Sequence, residues 1–177
     1  MLEAEERRPG RRDLAGAVDA VAQAFASGRL GPAERAELRR VNPKALPPAS
    51  YWHALARLIE PRHSAPEGEP ARAAWEQRWA TVLAGMAIVE HAPDLAPGQA
   101  LAETGFHELR LRRLLRATGD RLADELLSAA RFLGAKGARL NWREAARLVH
   151  YDPQDLPDWA DQIRRRIARD YFARTSN

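Results

Sequence analysis

The sequence predicts an all-α fold of about eight helices in two small packed helical subdomains, with a basic face on the C-terminal one. Three observations carry that expectation. Strand signals are nearly absent: no alternating β-branched run and no Asn-Gly hairpin interrupts the 177 residues. Helix-start and helix-stop residues recur along the whole chain. Between those stops, apolar residues repeat at intervals of three and four.

Taken in order, Asp13 is placed to cap residues 14–27 (LAGAVDAVAQAFAS), which Gly28 ends. Gly31-Pro32 opens AERAELRRV, closed before Asn42-Pro43. Ser50 is placed to cap YWHALARLIE, stopped by Pro61, and Pro70 opens the longest periodic stretch, ARAAWEQRWATVLAGMAIVEH. Thr104 precedes FHELRLRRLLRA, and Asp120 precedes RLADELLSAARFL, each as the expected cap. Asn141 with Glu144 three residues on reads as a capping box before ARLV. Asp155, Pro157 and Asp158 prepare WADQIRRRIARDYF. Residues 61–70 (PRHSAPEGEP) and 92–105 (APDLAPGQALAETG) read as irregular, and the second sets the expected boundary between subdomains 1–95 and 96–177.

Composition removes several classes of function. Hydrophobic residues at 45% and charged residues at 29% fit an ordinary globular chain. No apolar run approaches the ~18 residues of a membrane helix, and MLEAEERRPGRR has no secretory apolar core. The absence of cysteine excludes disulfides, thiol catalysis and thiolate metal sites, and fits a reducing cytoplasm.

Catalytic patterns are missing too. The histidines (53, 63, 91, 107, 150) have no metal-site spacing, and Glu103 with His107 reads as a helix-start contact. Asp152, Asp155, Asp158 and Asp161 stand three apart, but Pro153 and Pro157 break the helix that would align them, so capping explains the set. No phosphate loop, dinucleotide fingerprint or nucleophile elbow occurs. The expectation is a protein that is not an enzyme and carries no metal or cofactor.

Charge supplies the positive signal. Residues 1–105 hold 13 Lys and Arg against 14 Asp and Glu, net −1, whereas residues 106–177 hold 15 against 10, net +5. Only Lys44 and Lys136 among the basic residues are lysines. GC-rich coding favours arginine, but it does not cluster it. At about 100° per residue, Leu111, Leu114, Leu115 and Leu122 gather on one face while Arg110, Arg112, Arg113 and Arg116 fan across the other, Leu109 excepted. In the last helix Trp159, Ile163, Ile167 and Tyr171 form the apolar stripe, with Gln162, Arg165 and Arg169 pointing away. Between these segments Arg139, Arg143 and Arg147 surround Asn141-Trp142, and Arg131 precedes them. Solvated faces with intrahelical pairs are the competing explanation, through Glu108 and Arg112, Asp161 and Arg165, or Asp170 with Arg166 or Arg174. Trp52, Trp75, Trp79, Trp142 and Trp159 all stand at spacings that suit core packing.

Three blocks in order resemble the CasB family, the small subunit of the type I-E CRISPR surveillance complex, Cascade. They are AELRRVNP (36–43), GQALAETGFHELRLRRLLRA (98–117) and LNWREAARL (140–148), followed by the basic helix IRRRIARDYF. The chain departs from the family pattern in the loop 61–70 and at Ile167, where many relatives place an aromatic residue. The resemblance implies a non-enzymatic helical subunit, present as a pair, packed on the backbone and large subunits of the complex. It implies contact with guide RNA, target DNA and the displaced strand, with no membrane partner. The matching basic positions are Arg110, Arg116, Arg131 and Arg147, with Arg39 and Arg40 in the charge-neutral half. Two rival readings remain. One is a helix-turn-helix regulator of duplex DNA through RFLGAKGARLNWREAARLV, although its turn exceeds the usual 3–4 residues. The other is a purely structural bundle that binds protein partners.

Overall fold

The computed structural model describes residues 13–151 and 156–175. It is predominantly α-helical: nine α-helices and one two-stranded ribbon occur among the described residues. None of these helices is long and apolar enough to cross a membrane. The chain divides into two compact units, Met1–Ala87 and Ile88–Asn177.

In the first unit, α1 spans Leu14–Ala26 and buries Leu14, Ala17, Val18, Val21 and Ala24 on one stripe. Asp13 takes a left-handed conformation, φ 50°, so that its Oδ1 accepts from the Gly16 N–H at 2.7 Å. A Cβ at position 16 would lie 2.0 Å from Asp13 Oδ2, so any other residue there would displace the capping carboxylate. Helix α2 (Pro32–Leu38) starts on the expected proline, but Arg39 and Arg40 already form a turn.

Helix α3 (Ala49–Ala54) continues as a π-helical turn, Leu55–Ile59, in which the Glu60 N–H donates to the Leu55 carbonyl at 2.9 Å. This corrects the cap assigned to Ser50. Pro48 already supplies the extended residue at the N-cap, so Ser50 falls inside the helix, buried, with its hydroxyl unbonded. The loop that follows is anchored by buried His63, whose Nδ1 accepts from Trp75 Nε1 at 2.9 Å and Trp79 Nε1 at 3.1 Å. Both indoles stand on α4 (Glu69–Ile88), which is buried from Trp79 to Ala87. The Tyr51 hydroxyl donates to the Glu76 carbonyl at 2.7 Å. Burial, and then Glu76 and Glu60, hold the Tyr51 proton well above the usual tyrosine range.

In the second unit, β1 (Glu90–His91) pairs in parallel with β2 (Arg139–Leu140), Glu90 opposite Arg139. A pairing two residues long carries no alternating pattern, which is why the sequence did not announce it. Helix α5 (Pro97–Glu103) corrects the reading of 92–105 as irregular: Pro97 opens a seven-residue helix within it. Gly98 lets α5 meet the backbone of α9 (Pro157–Thr175) directly, since a Cβ there would lie 2.1 Å from the Ile167 carbonyl oxygen.

Further caps differ from expectation. Thr104 ends α5, its hydroxyl donating to the Ala100 carbonyl at 2.8 Å, and His107 caps α6 (Glu108–Arg116), its Nδ1 accepting from the Leu109 N–H at 3.2 Å. Once α5 exists, Thr104 is consumed by its last turn. Thr118 occupies the N-cap position of α7 (Gly119–Ala135), which leaves Asp120 in the first turn, where its charge suits the helix dipole. Asn141 does cap α8 (Trp142–His150), accepting from the Arg143 N–H at 3.1 Å. Its own N–H goes to the Leu95 carbonyl at 2.8 Å, so the return half of the capping box does not form. Asp158 lies in the first turn of α9, while Asp152 and Asp155 fall outside the described residues.

The core of this unit gathers Phe106, Leu111, Leu114, Leu127, Leu133, Trp142 and Ile167. Of the five tryptophans expected inside, Trp75, Trp79 and Trp142 are buried and Trp159 is half-buried. Trp52 is the correction: it is exposed and donates through Nε1 to the Pro47 carbonyl at 3.2 Å.

Candidate nucleic-acid interface

Helix α6 separates its two kinds of residue by angle. Leu111 and Leu114 are buried and Leu115 half-buried, while Leu109, Arg112, Arg113 and Arg116 share the exposed stripe. Arg112 pairs with Glu108 one turn back. Arg113 and Arg116 are exposed, and their guanidinium groups meet no partner among the described residues.

Arg110 points elsewhere. Its guanidinium lies 4.6 Å from the Phe106 ring centre and 5.2 Å from that of Phe132, and Nη2 donates to Ser128 Oγ at 3.1 Å. It is half-buried, a cation–π clasp between the start of α6 and the middle of α7.

Arg131 on α7, Arg139 on β2 and Arg169 on α9 are exposed, again with no side-chain partner among the described residues. Arg121, which sequence reasoning did not single out, joins them. Arg165 stands 3.9 Å from Asp161, with both side chains largely in solvent, a pair of little consequence.

Arg143 and Arg147 are half-buried and engaged. Arg147 acts on the Glu144 carboxylate, as does Arg166 at 3.9 Å. Burial, reinforced by Asp170, nevertheless holds the Glu144 carboxyl above the ordinary range, against the pull of these two arginines.

Arg164 was also missed. Its Nε donates to the Leu115 carbonyl at 2.9 Å and its Nη2 to the Ala117 carbonyl at 3.1 Å. Its place four residues after Ala160 and three before Ile167, on the edge of the buried stripe, was the available signal.

The arrangement does not suit base readout. The helix that a helix-turn-helix reading sends into the major groove is α8, yet Trp142, Ala145, Ala146, Leu148, Val149 and His150 are all buried there. Six residues, 136–141, separate it from α7, and two of them belong to β2.

The fold and its arginines therefore define a predominantly helical protein with part of its basic groups on surface stripes and, among the described residues, no helix that presents a base-reading face. The family model for CRISPR-associated protein Cse2 matches residues 34–172, and the chain belongs to that family, the small subunit of the type I-E Cascade complex. The match runs from α2 into α9 and includes every basic element of the second unit. As a Cascade subunit it works alongside the other subunits of that complex. No curated protein and no solved structure matches the chain.

Proposed function

We propose that this Cascade subunit is a non-catalytic cytoplasmic clamp on nucleic-acid backbones, holding the guide RNA–target duplex and the displaced DNA strand of the R-loop open. Two copies per complex would extend the clamp along the hybrid. One observation carries the reading: Arg113, Arg116, Arg121, Arg131, Arg139 and Arg169 stand exposed without an internal acceptor among the described residues. A guanidinium without a carboxylate is available for phosphate, which its planar fork binds bidentately.

The energetics suit such a division of labour. Guide pairing carries the sequence information, and exchanging a DNA duplex for an RNA–DNA hybrid is nearly balanced. A few kcal/mol of phosphate contact then decides whether the open state persists. Each contact on single-stranded DNA contributes about 0.7 to the salt slope of binding.

The experiment is target-DNA binding by the assembled complex carrying Arg113→Ala, Arg116→Ala and Arg131→Ala together, titrated against salt. Weaker binding with a shallower slope, and an unchanged dependence on guide sequence, is expected. An unchanged slope at unchanged affinity overturns the clamp.

A further inference from the structure

Helix α6 is short, and its last turn carries both Arg113 and Arg116. The last four carbonyls of any helix lack intrahelical donors. Here no left-handed glycine closes the end: Ala117 leaves it extended, with φ −70° and ψ 148°. Its N–H still reaches the Arg113 carbonyl at 3.0 Å and the Leu114 carbonyl at 3.3 Å, which leaves the carbonyls of Leu115, Arg116 and Ala117, of which Leu115 and Ala117 meet a side chain from another helix. Arg164, from α9, answers both with one planar group, at 2.9 Å and 3.1 Å. It also brings a positive charge to the negative end of the α6 dipole.

We propose that Arg164 is a positioning residue: it pins the last turn of α6 so that Arg113 and Arg116 are held ready for successive phosphates. The proposal rests on the backbone-clamp reading. Arg113 and Arg116 stand three residues apart, unpaired among the described residues, in the last turn of a nine-residue helix, and their mutual repulsion favours fraying of that end, against the support that the helix dipole gives each of them. A frayed turn must be re-ordered each time phosphate binds, and that ordering cost is subtracted from affinity. With the end clamped, the two exposed guanidinium groups stand on a rigid turn before the nucleic acid arrives. Arg164 itself is half-buried, with its fork directed at carbonyls.

A double-mutant cycle in the assembled complex tests this. Arg164→Ala should weaken target-DNA binding roughly three- to tenfold and make its salt slope shallower. In the Arg113→Ala/Arg116→Ala background it should cause no further loss. Amide exchange in the full chain should accelerate over 113–117 while α7 stays protected. An equal fold-loss in both backgrounds overturns the proposal, since Arg164 would then touch phosphate itself or act on the whole fold. If Arg164→Ala leaves binding unchanged while Arg113→Ala/Arg116→Ala weakens it, the positioning role fails and the clamp stands. If neither change affects binding, the clamp reading fails as well. Should Arg164→Ala not assemble, Arg164→Gln, which keeps one amide donor, is carried through the same cycle under the same criteria.

Discussion

The two units use the same residue in different proportions. In the first, Arg35 and Arg39 both donate to the Ala87 carbonyl, at 3.2 Å and 2.7 Å, Arg40 to Ala36 at 3.1 Å and Arg62 to Leu58 at 3.0 Å. Arg72 bridges Glu60 at 2.8 Å and Glu76 at 3.1 Å. Only Arg29 and Arg57 stand without a partner among the described residues of that unit. In the second unit six arginines stand so. Counting arginines does not separate these cases, whereas counting acceptors within reach does. Arg110 and Arg164 make the same point inside the second unit, because each is consumed by the fold although it sits in an arginine-rich run.

The largest expected effects do not distinguish the units, and they set the scale. Trp79→Ala and Trp142→Ala remove fully buried indoles and should each cost about 3–5 kcal/mol in chemical denaturation. An intermediate effect would confirm that the first unit's arginines are structural. Arg35→Ala with Arg39→Ala leaves the buried Ala87 carbonyl without either guanidinium donor and should cost about 1–3 kcal/mol. The salt slope of nucleic-acid binding should stay where it was. A shallower slope at full stability would mean that these two belong with the exposed group.

A smaller effect tests the charge cluster on α8. The Glu144–Arg166 pair is worth no more than about 1 kcal/mol, and the folded carboxyl titrates above its usual value. A raised folded value means that the stabilising contribution is complete below the unfolded pKa and is lost as pH rises through the folded one. Glu144→Gln should therefore gain on the parent protein as thermal melts move from about pH 4 to pH 7. A variant that instead loses ground over that range would show the ion pair outweighing burial. The smallest effect on stability belongs to the exposed set: Arg113→Ala and Arg131→Ala should each change unfolding by less than about 0.5 kcal/mol. A drop of 2 kcal/mol or more for either, on the order of a lost buried network, would move that arginine into the structural class.

Much of this was legible in the sequence, for local reasons. Helix α1 follows from Asp13 and its apolar spacing, α8 from Asn141, and the buried side of α9 from Ile163, Ile167 and Tyr171. The three blocks shared with the small-subunit family were equally readable, and the family match covers them. What failed depended on a short adjoining helix that was not anticipated or on partners distant in sequence. Thr104 looks like an N-cap until α5 is known to end at Glu103, and the Asn141 N–H is taken by Leu95, out of sight of any capping box. The exposure of Arg113 and Arg116 could be read from the leucines opposite them. The aromatic clasp on Arg110 could not, since Phe106 and Phe132 meet only in the folded chain.

Gly98 carries a consequence for how the gene can change. Any missense substitution there adds at least a Cβ, and that atom would fall 2.1 Å from the Ile167 oxygen and 2.9 Å from both the Asp170 Cβ and the Tyr171 nitrogen. Two of those three are backbone atoms that no rotamer change can move aside. The codon is therefore closed to drift for as long as α9 keeps its seat on α5. The codons of the exposed arginines on the outer stripes face no such steric bar.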